Sequence, residues 1–272
     1  MQVGEVRKIS IGGTWQDATV KNISTCEFGG KQSLLVIYDV PGYGETQPYL
    51  VDAGQKLYGD AENRMDRSLM PSQYLRKLSQ DFDWTLYGES MDMQKNIANA
   101  FVSQYLEFEK AGRGLYIFSK TKGSGKTLLA CVIANEIIRR KAYSMKFVNA
   151  ADFVALIKSK SEEDAQCLES LYQCRLLIFD DIGTQDEKQS WINESLFRLI
   201  DYRNRERRPV IFTSNLDIDS IADERIADRI SAMCVPLKMP EKKIRRQLAD
   251  KQNKEFLKSI IGAEKERMQW AK

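Results

Sequence analysis

The chain has 272 residues, of which 43% are hydrophobic and 29% are charged, and its formal net charge at pH 7 is +3. This composition is sufficient for a large domain with a smaller companion, and the mild charge does not favour a nucleic-acid coat protein, although local basic patches remain possible. The sequence contains no histidine, which excludes histidine-based triads and histidine metal sites.

Residues 1 to about 60 are predicted to be rich in β-strands, because β-branched residues alternate roughly in VRKISIGGTW and ATVKNIS. The stretch from Ser33 to Val51 predicts two strands around a Pro-Gly turn. Residues 61–95 are charged and helix-like, with an interruption at Pro71.

From about residue 92 onward, helical patterns alternate with short apolar strands, which is typical of a parallel α/β sheet. The predicted strands are 114–119, 144–149, 175–180, 209–214 and 234–239. The predicted helices are 127–142, 150–158, 162–172, 187–205 and 217–230, followed by an amphipathic helix over about 241–260. The fold class is therefore α/β, with a five-stranded parallel sheet.

The change of pattern predicts a domain boundary between about residues 85 and 95. We expect a small β-containing N-terminal domain, a larger α/β domain and a C-terminal tail, with the bounds 1–90, 91–260 and 261–272. The five cysteines are scattered, with no C-x-x-C pair, and no apolar run approaches the roughly 18 residues of a membrane span. Since the N-terminus is also unlike a signal peptide, we expect a reduced, cytoplasmic protein without disulfides, structural zinc or a membrane partner.

The stretch GSGKT, residues 123–127, lies between the strand LYIF and a helix with apolar residues at 3–4 spacing, the context of a phosphate-binding loop. Gly123 and Gly125 let the backbone curl so that successive amides face an anion, while Lys126 reaches the terminal phosphates. The Thr127 hydroxyl is expected to bind magnesium. Lys120 replaces the first glycine of the usual pattern, and a positive φ there would cost about 1 kcal/mol.

Two further predicted strands end in polar residues. LLIFDDIG places Asp180 at the carboxyl end of a buried strand, where ligands of open α/β sheets bind. Asp180 is predicted to hold magnesium through water, and Asp181 to orient or deprotonate the attacking water. In IFTSNLD, the Asn215 amide is predicted to polarise the same water or to sense the γ-phosphate.

The order of phosphate loop, DD strand, TSN strand and ERIADRI resembles an AAA+ ATPase, a P-loop NTPase. The stretch DDIG…WINESLFRLIDYRNRERRPVIFTSNLDI is similar, more narrowly, to the DnaC/DnaI group of replicative helicase loaders and to their transposition relative IstB. FDWTLYG and QKNIANAFVSQYLEF, just upstream, resemble the same group. The resemblance covers about residues 80–255 and does not extend to residues 1–70.

The resemblance implies that the core binds ATP and Mg²⁺. It assigns nucleotide binding to Gly123, Ser124, Gly125, Lys126, Thr127, Leu128 and Arg245, metal binding to Thr127 and Asp180, and catalysis to Asp181, Asn215 and Arg229. In PEKKIRRQL, which is similar to a sensor-2 segment, Arg245 and Arg246 remain alternatives. Aspartate rather than glutamate at position 181 suggests slow hydrolysis.

Arg225 and Arg229, in ERIADRI, match paired arginines near the end of the family's core. Their spacing of four places both on one helix face. Arg229 is similar to the arginine finger that completes a neighbour's site, so the resemblance implies self-association through Arg229.

By resemblance, the chain is expected to be an ATP-dependent loader of a replicative DNA helicase, gripping the helicase through residues 1–90 and binding single-stranded DNA. Lys158 and Lys160 lie where loaders carry channel-facing helices; either they contact DNA or they keep a helix soluble, and no aromatic stacking platform is obvious nearby. The alternatives are an IstB-like transposition helper ATPase and a nucleotide-gated adaptor with negligible turnover.

Overall fold

Two β-sheets organise the chain, one antiparallel and N-terminal, the other parallel. This computed structural model describes residues 2–11, 14–28, 31–42, 44–46, 49–50, 55–56, 61–140, 143–183, 190–250, 253–254, 256–258 and 260. Statements on structure below concern these residues.

The N-terminal sheet has its own core. Its strands are β1 (Val6–Ile11), β2 (Thr14–Phe28), β3 (Lys31–Val40), β4 (Gly44–Glu45), β5 (Tyr49–Leu50) and β6 (Gln55–Lys56). β2 pairs antiparallel with both β1 and β3. Alternate residues point to one face and bury each other there, namely Ile9, Ala18, Val20, Val36, Tyr38 and Val40. The predicted small β-containing N-terminal part is therefore confirmed.

The prediction of a helix-like segment over residues 61–95 is wrong for most of its length. Helix α1 (Ala61–Asp66) ends early, and turns follow, with short 3-10 helices over Ser79–Asp81 and Trp84–Tyr87. Leu69 and Arg76 have positive φ angles of 63° and 65°. A right-handed helix does not accommodate such angles.

This segment packs against α4 (Lys126–Arg140) and is hydrogen-bonded to side chains of that helix. Nδ2 of the buried Asn135 donates to the main-chain oxygens of Tyr74 and Lys77, both at 2.9 Å. The carboxylate of Glu136 accepts the Ser79 N–H at 3.0 Å. Residues between 65 and 91 consequently share a hydrophobic cluster with α4, and the division of the chain at residue 90 stays a prediction.

The parallel sheet has five strands, as predicted, and each ends within two residues of the predicted bound. They are β7 (Gly114–Phe118), β8 (Met145–Asn149), β9 (Leu176–Ile182), β10 (Val210–Ser214) and β11 (Cys234–Lys238). Their order across the sheet is β11-β7-β10-β9-β8. Hydrophobic clusters pack against the sheet on both faces, which is why its strands are nearly continuous apolar runs.

The other helices flank this sheet. They are α2 (Asp92–Ser103), α3 (Tyr105–Lys110), α5 (Ala150–Lys158), α6 (Glu162–Gln173), α7 (Ser190–Arg205) and α8 (Glu224–Met233). The predicted helix 187–205 is present from Ser190, and residues 187–189 lie outside the described residues. Across residues 61–140, 143–183 and 190–250, no helix is long and apolar enough to cross a membrane.

Two predicted helices differ from the structure. The helix predicted over 217–230 is divided into a 3-10 turn, Ile218–Ser220, and α8, because the Asp223 side chain accepts the N–H of Arg225 and caps a new helix. The helix predicted over 241–260 begins at residue 244, and its described residues extend to 260.

Candidate nucleotide-binding site

Three of the sequence motifs meet at the carboxyl edge of the parallel sheet. β10 lies between β7 and β9 in the strand order. The glycine-containing loop follows β7, Asp180 and Asp181 lie near the end of β9, and Asn215 follows β10 directly. Since parallel strands end at the same edge, these side chains converge.

The loop curls as the sequence predicts. Gly123 and Gly125 have φ angles of 79° and 94°, which glycine adopts without strain. A Cβ at Gly125 would lie 2.7 Å from the Tyr87 hydroxyl oxygen, so a side chain is also excluded by space. Lys120 is not among the residues with positive φ, and its N–H donates to the Glu241 carboxylate at 2.9 Å. The replacement of the first glycine therefore introduces no backbone strain.

The ammonium group of Lys126 is buried inside the loop, with the residue only 5% exposed. It donates to the main-chain oxygens of Ser119 and Thr121, both at 3.1 Å, and to Asn215 Oδ1 at 2.9 Å. Burial lowers the pKa of Lys126, while the nearby carboxylates of Asp181, Glu241 and Asp180 oppose that shift. The loop thus holds a cation where the terminal phosphates of a nucleotide are expected.

Asp180 and Thr127, the predicted metal ligands, are brought together. Asp180 is 8% exposed and accepts the Thr213 hydroxyl at 2.6 Å. Burial raises the pKa of Asp180, and hydrogen bonds from the hydroxyls of Thr213 and Thr127 oppose that shift. A hydroxyl beside a carboxylate suits Mg²⁺, which binds oxygen ligands and keeps several of its waters.

Asp181 and Asn215 form a second pair beside the first. The Asn215 amide nitrogen donates to Asp181 Oδ1 at 3.4 Å, while Asn215 Oδ1 accepts from Lys126. Asp181 has a φ of 57°, an angle that is uncommon outside glycine. Its N–H donates to the Thr213 hydroxyl at 2.9 Å, and the register of β9 and β10 shifts between Phe212 and Ser214. The distortion sets the Asp181 side chain on the cavity.

A cavity of about 610 Å³ extends from the loop to the segment that packs on α4. It is lined at the loop end by residues 122–128 with Asp181 and Asn215. The rest of the lining combines the aromatic and aliphatic side chains of Tyr74, Phe82, Leu86, Tyr87 and Leu248 with the polar side chains of Gln73, Asp81, Asp83 and Arg245. A pocket that has the Lys126 ammonium in its loop and aromatic and aliphatic side chains elsewhere suits a phosphate chain with an attached aromatic base.

Arg245 lines this cavity, and Arg246 is not among its lining residues. The Arg245 side chain also hydrogen-bonds to Tyr74, whose pKa is raised by burial. The structure therefore brings Arg245 to the site, while the role of Arg245 stays a prediction.

Arg225 and Arg229 lie outside the cavity. Both guanidinium groups lie over the ring of Phe197, at 4.9 Å and 5.7 Å from its centre. Arg229 Nε donates to Asp201 Oδ1 at 3.0 Å. Arg229 is therefore placed on a surface between α7 and α8, away from the cavity of its own chain.

Three polar residues that support the site were missed by sequence reasoning. Thr213 bonds both aspartates, the Tyr87 hydroxyl donates to Ser124 O at 2.7 Å, and Glu241 accepts from the first turn of the loop. Thr213 precedes the TSN asparagine by two residues, so its position at a buried strand end was a usable signal. Tyr87 and Glu241 carry no local signal, since their partners are 37 and 121 residues away.

No cluster of three or more His, Cys, Asp or Glu side chains suited to a metal occurs within the described part of the chain. The pair of Thr127 and Asp180 does not require such a cluster, because one carboxylate and a hydroxyl leave the remaining positions of Mg²⁺ to water and phosphate oxygens.

Comparison with known families gives one match over most of the chain. A family model described as IstB-like ATP binding protein matches residues 61–235. The match begins at α1 and ends in β11, so it contains the loop and both aspartates.

Curated relatives include two replicative helicase loaders. DnaC of Escherichia coli is 28% identical over 163 residues, which cover 57% of this chain and 65% of DnaC. DnaI of Bacillus subtilis is 28% identical over 167 residues, which cover 59% of this chain and 52% of DnaI. The chain thus spans between half and two thirds of the length of these relatives.

A solved crystal structure of DnaI resembles the fold with a TM-score of 0.54 and 28% identity, covering 63% of this chain and 95% of that one. These comparisons confirm the predicted α/β AAA+ P-loop fold and the resemblance to the DnaC/DnaI group.

Thr213→Val preserves the shape of the side chain and removes the hydroxyl that bonds both aspartates. Because the Thr213 hydroxyl fixes the orientation of the Asp180 carboxylate, and loss of such an outer-shell partner weakens metal binding, the Mg²⁺ concentration needed for half-maximal binding of a fluorescent ATP analogue should rise about tenfold. Thr213→Ser, which keeps the hydroxyl, is the matched control. Equal Mg²⁺ dependence in the two variants would contradict the role of Thr213.

Proposed function

This chain belongs to the family of IstB-like ATP-binding proteins, and from that premise we propose that it is an ATP-dependent loader of a replicative DNA helicase. The observation that carries the proposal is that the loop, both aspartates and Asn215 lie inside the family match over residues 61–235, and that two proteins named replicative helicase loaders are 28% identical to this chain over 163 and 167 residues. ATP binding is a property of the family, whereas the helicase as partner and the use of single-stranded DNA are proposals.

The geometry supports ATP-Mg as the nucleotide. Residues 123–128, with Lys126 at their centre, would bind the phosphates, and Thr127 with Asp180 would hold Mg²⁺. When bound, Mg²⁺ neutralises charge on the phosphate oxygens. Asp181 would orient the attacking water, held in place by the Asn215 amide. The carboxylate of Asp181 is one methylene shorter than that of glutamate, which supports slow hydrolysis.

The N-terminal sheet supports a separate partner-binding function. Among the side chains that the structure describes there, six form a buried core distinct from the two clusters that pack against the parallel sheet. A small sheet with a core of its own can hold a partner without being part of the nucleotide site. We therefore propose that, within residues 1–90, this sheet is the part that binds the helicase.

The surface around Arg229 supports self-association. Arg229 is fastened to Asp201 and lies over Phe197, so its guanidinium is held in a defined position at the edge of α8. An arginine that lies outside its own cavity can supply positive charge to the γ-phosphate only of a neighbouring chain.

Single-stranded DNA binding gains support from a contact that the sequence pattern did not reveal. The ammonium of Lys158 lies 5.4 Å from the ring centre of Trp191, and Trp191 is 40% exposed. An exposed indole with a neighbouring cation is suited to stacking a base and binding its phosphate. The sequence pattern showed no obvious aromatic stacking surface near Lys158. We now propose Trp191 as that surface.

The loader hypothesis predicts ATP-dependent delivery of the helicase. The chain should bind the replicative helicase of its own organism and place it on closed circular single-stranded DNA that is coated with binding protein and carries an annealed oligonucleotide, measured by the release of that oligonucleotide. Lys126→Ala should abolish loading, because the ammonium that contacts the phosphates is lost. Lys243→Ala, which removes an exposed lysine that does not line the cavity, is the control.

Other outcomes separate the alternatives. Capture of a transposase in place of the helicase would indicate an IstB-like transposition helper. A stable helicase complex with no ATP turnover and no loading would indicate an adaptor.

Arg229→Ala should leave ATP binding to dilute monomer near wild type and remove hydrolysis, since the finger acts in trans. Mixing this variant with Lys126→Ala should restore part of the activity, because one protein supplies an intact pocket and the other an intact finger. The measurement is ATPase rate against mixing ratio. Arg198→Ala, which removes a surface arginine of α7 that pairs with Glu194, is the control. Normal hydrolysis by Arg229→Ala alone would refute the proposal that Arg229 acts on the site of a neighbouring chain.

Trp191→Ala should weaken binding to a labelled oligothymidine at least fivefold by fluorescence anisotropy, because one base loses its stacking surface. Lys158→Ala should weaken binding less at high salt than at low salt, since it removes a phosphate contact. Trp191→Phe keeps an aromatic face and should retain most of the affinity. Unchanged binding by Trp191→Ala would exclude this platform.

A further inference from the structure

Two segments that are distant in sequence donate hydrogen bonds to carbonyl oxygens of the phosphate loop. The main-chain oxygen of Gly123 accepts the N–H groups of Ile244 and Arg245, both at 2.9 Å. The main-chain oxygen of Ser124 accepts the Tyr87 hydroxyl at 2.7 Å. Two successive carbonyl groups of the loop are thereby hydrogen-bonded to residues that do not belong to the loop.

Because a peptide group is planar, a hydrogen bond that holds its carbonyl also fixes the direction of its N–H. Each peptide group is planar and trans, so its N–H points opposite to its C=O. Since Tyr87 holds the Ser124 carbonyl, the N–H of Gly125 in the same peptide group is directed away from the Tyr87 hydroxyl. Main-chain amides are the groups that bind nucleotide phosphates in loops of this kind.

Tyr87 is itself held rigidly. The residue is 4% exposed, its ring stacks on Phe82 with centres 6.3 Å apart, and its main-chain oxygen accepts Lys242 Nζ at 3.0 Å. Burial raises the pKa of Tyr87, so the hydroxyl stays protonated and can donate at any physiological pH. The close approach of this hydroxyl to Gly125 also explains why position 125 has no room for a side chain.

We propose that Tyr87 is a positioning residue for nucleotide binding, which orients the Gly125 amide toward the phosphate chain of a nucleoside di- or triphosphate by holding the Ser124–Gly125 peptide group. The proposal rests on the nucleotide binding proposed above. It adds a function for the segment between Pro71 and Met91, which lines the cavity and, through Tyr87, also bonds to the phosphate loop.

A single resonance reports on this peptide group. Ser124–Gly125 is the sole Ser-Gly pair in the 272-residue sequence. Protein made by cell-free synthesis with ¹³C-carbonyl serine and ¹⁵N-glycine therefore gives one carbonyl-filtered amide signal, that of Gly125. In the wild-type chain, ADP with Mg²⁺ should move this signal strongly, because the amide donates to a phosphate.

Tyr87→Phe deletes only the hydroxyl. The Gly125 signal of this variant should move by less than half as much at saturating ADP, and affinity for ATP and ADP should fall about tenfold, as expected for one lost buried hydrogen bond. Tyr105→Phe is the matched control, because Tyr105 is equally buried and its hydroxyl also donates to a main-chain oxygen, that of Arg175, far from the loop.

The outcomes are distinct. A full shift of the Gly125 signal in Tyr87→Phe, or unchanged affinity, would overturn the positioning role. An equal loss of affinity in Tyr105→Phe would also overturn it, since the cause would then be general destabilisation. If the wild-type chain itself bound neither ATP nor ADP, the proposed function would fail, and the inference would fall with it.

Discussion

The buried ammonium of Lys126 is the interaction on which the candidate site depends. A charge removed from water requires several oxygen acceptors, and here they come from the loop and from Asn215 at the end of β10. Asn215 also donates to Asp181. The loop after β7 and the ends of β9 and β10 are thus joined through one amide side chain, which is possible because β10 lies between the other two strands.

The loop is also held from outside. Tyr87 and the amides of residues 244–245 fasten its carbonyl groups, and Glu241 fastens its first turn. Any shift of the helix that carries Arg245 must either break these bonds or move the loop with it. The cavity is therefore bounded by two segments that lie on either side of the core in sequence, and a shift of either segment would alter the position of the loop.

Local patterns account for the parts of the fold that were predicted well. Each strand of the parallel sheet is a short apolar run between turn residues, and such runs identify buried strands without knowledge of their neighbours. The segment after α1 was not predictable in this way. Its charged composition is helix-like, yet its backbone follows Asn135 and Glu136 of α4, whose side chains bond to its main-chain groups. The helix predicted over 217–230 failed for a related reason, since Asp223 caps a new start.

Sequence patterns alone predict the α/β class, the phosphate loop and the polar residues that end β9 and β10, because each depends on neighbours within a few positions. The folded structure was needed to establish that Thr213 bonds Asp180, that Tyr87 reaches Ser124, and that Arg245 rather than Arg246 lines the cavity. These contacts join residues far apart in the chain or depend on the direction of one helix face. Their physical origin is the packing of strands and segments, which sets distances that no local pattern contains.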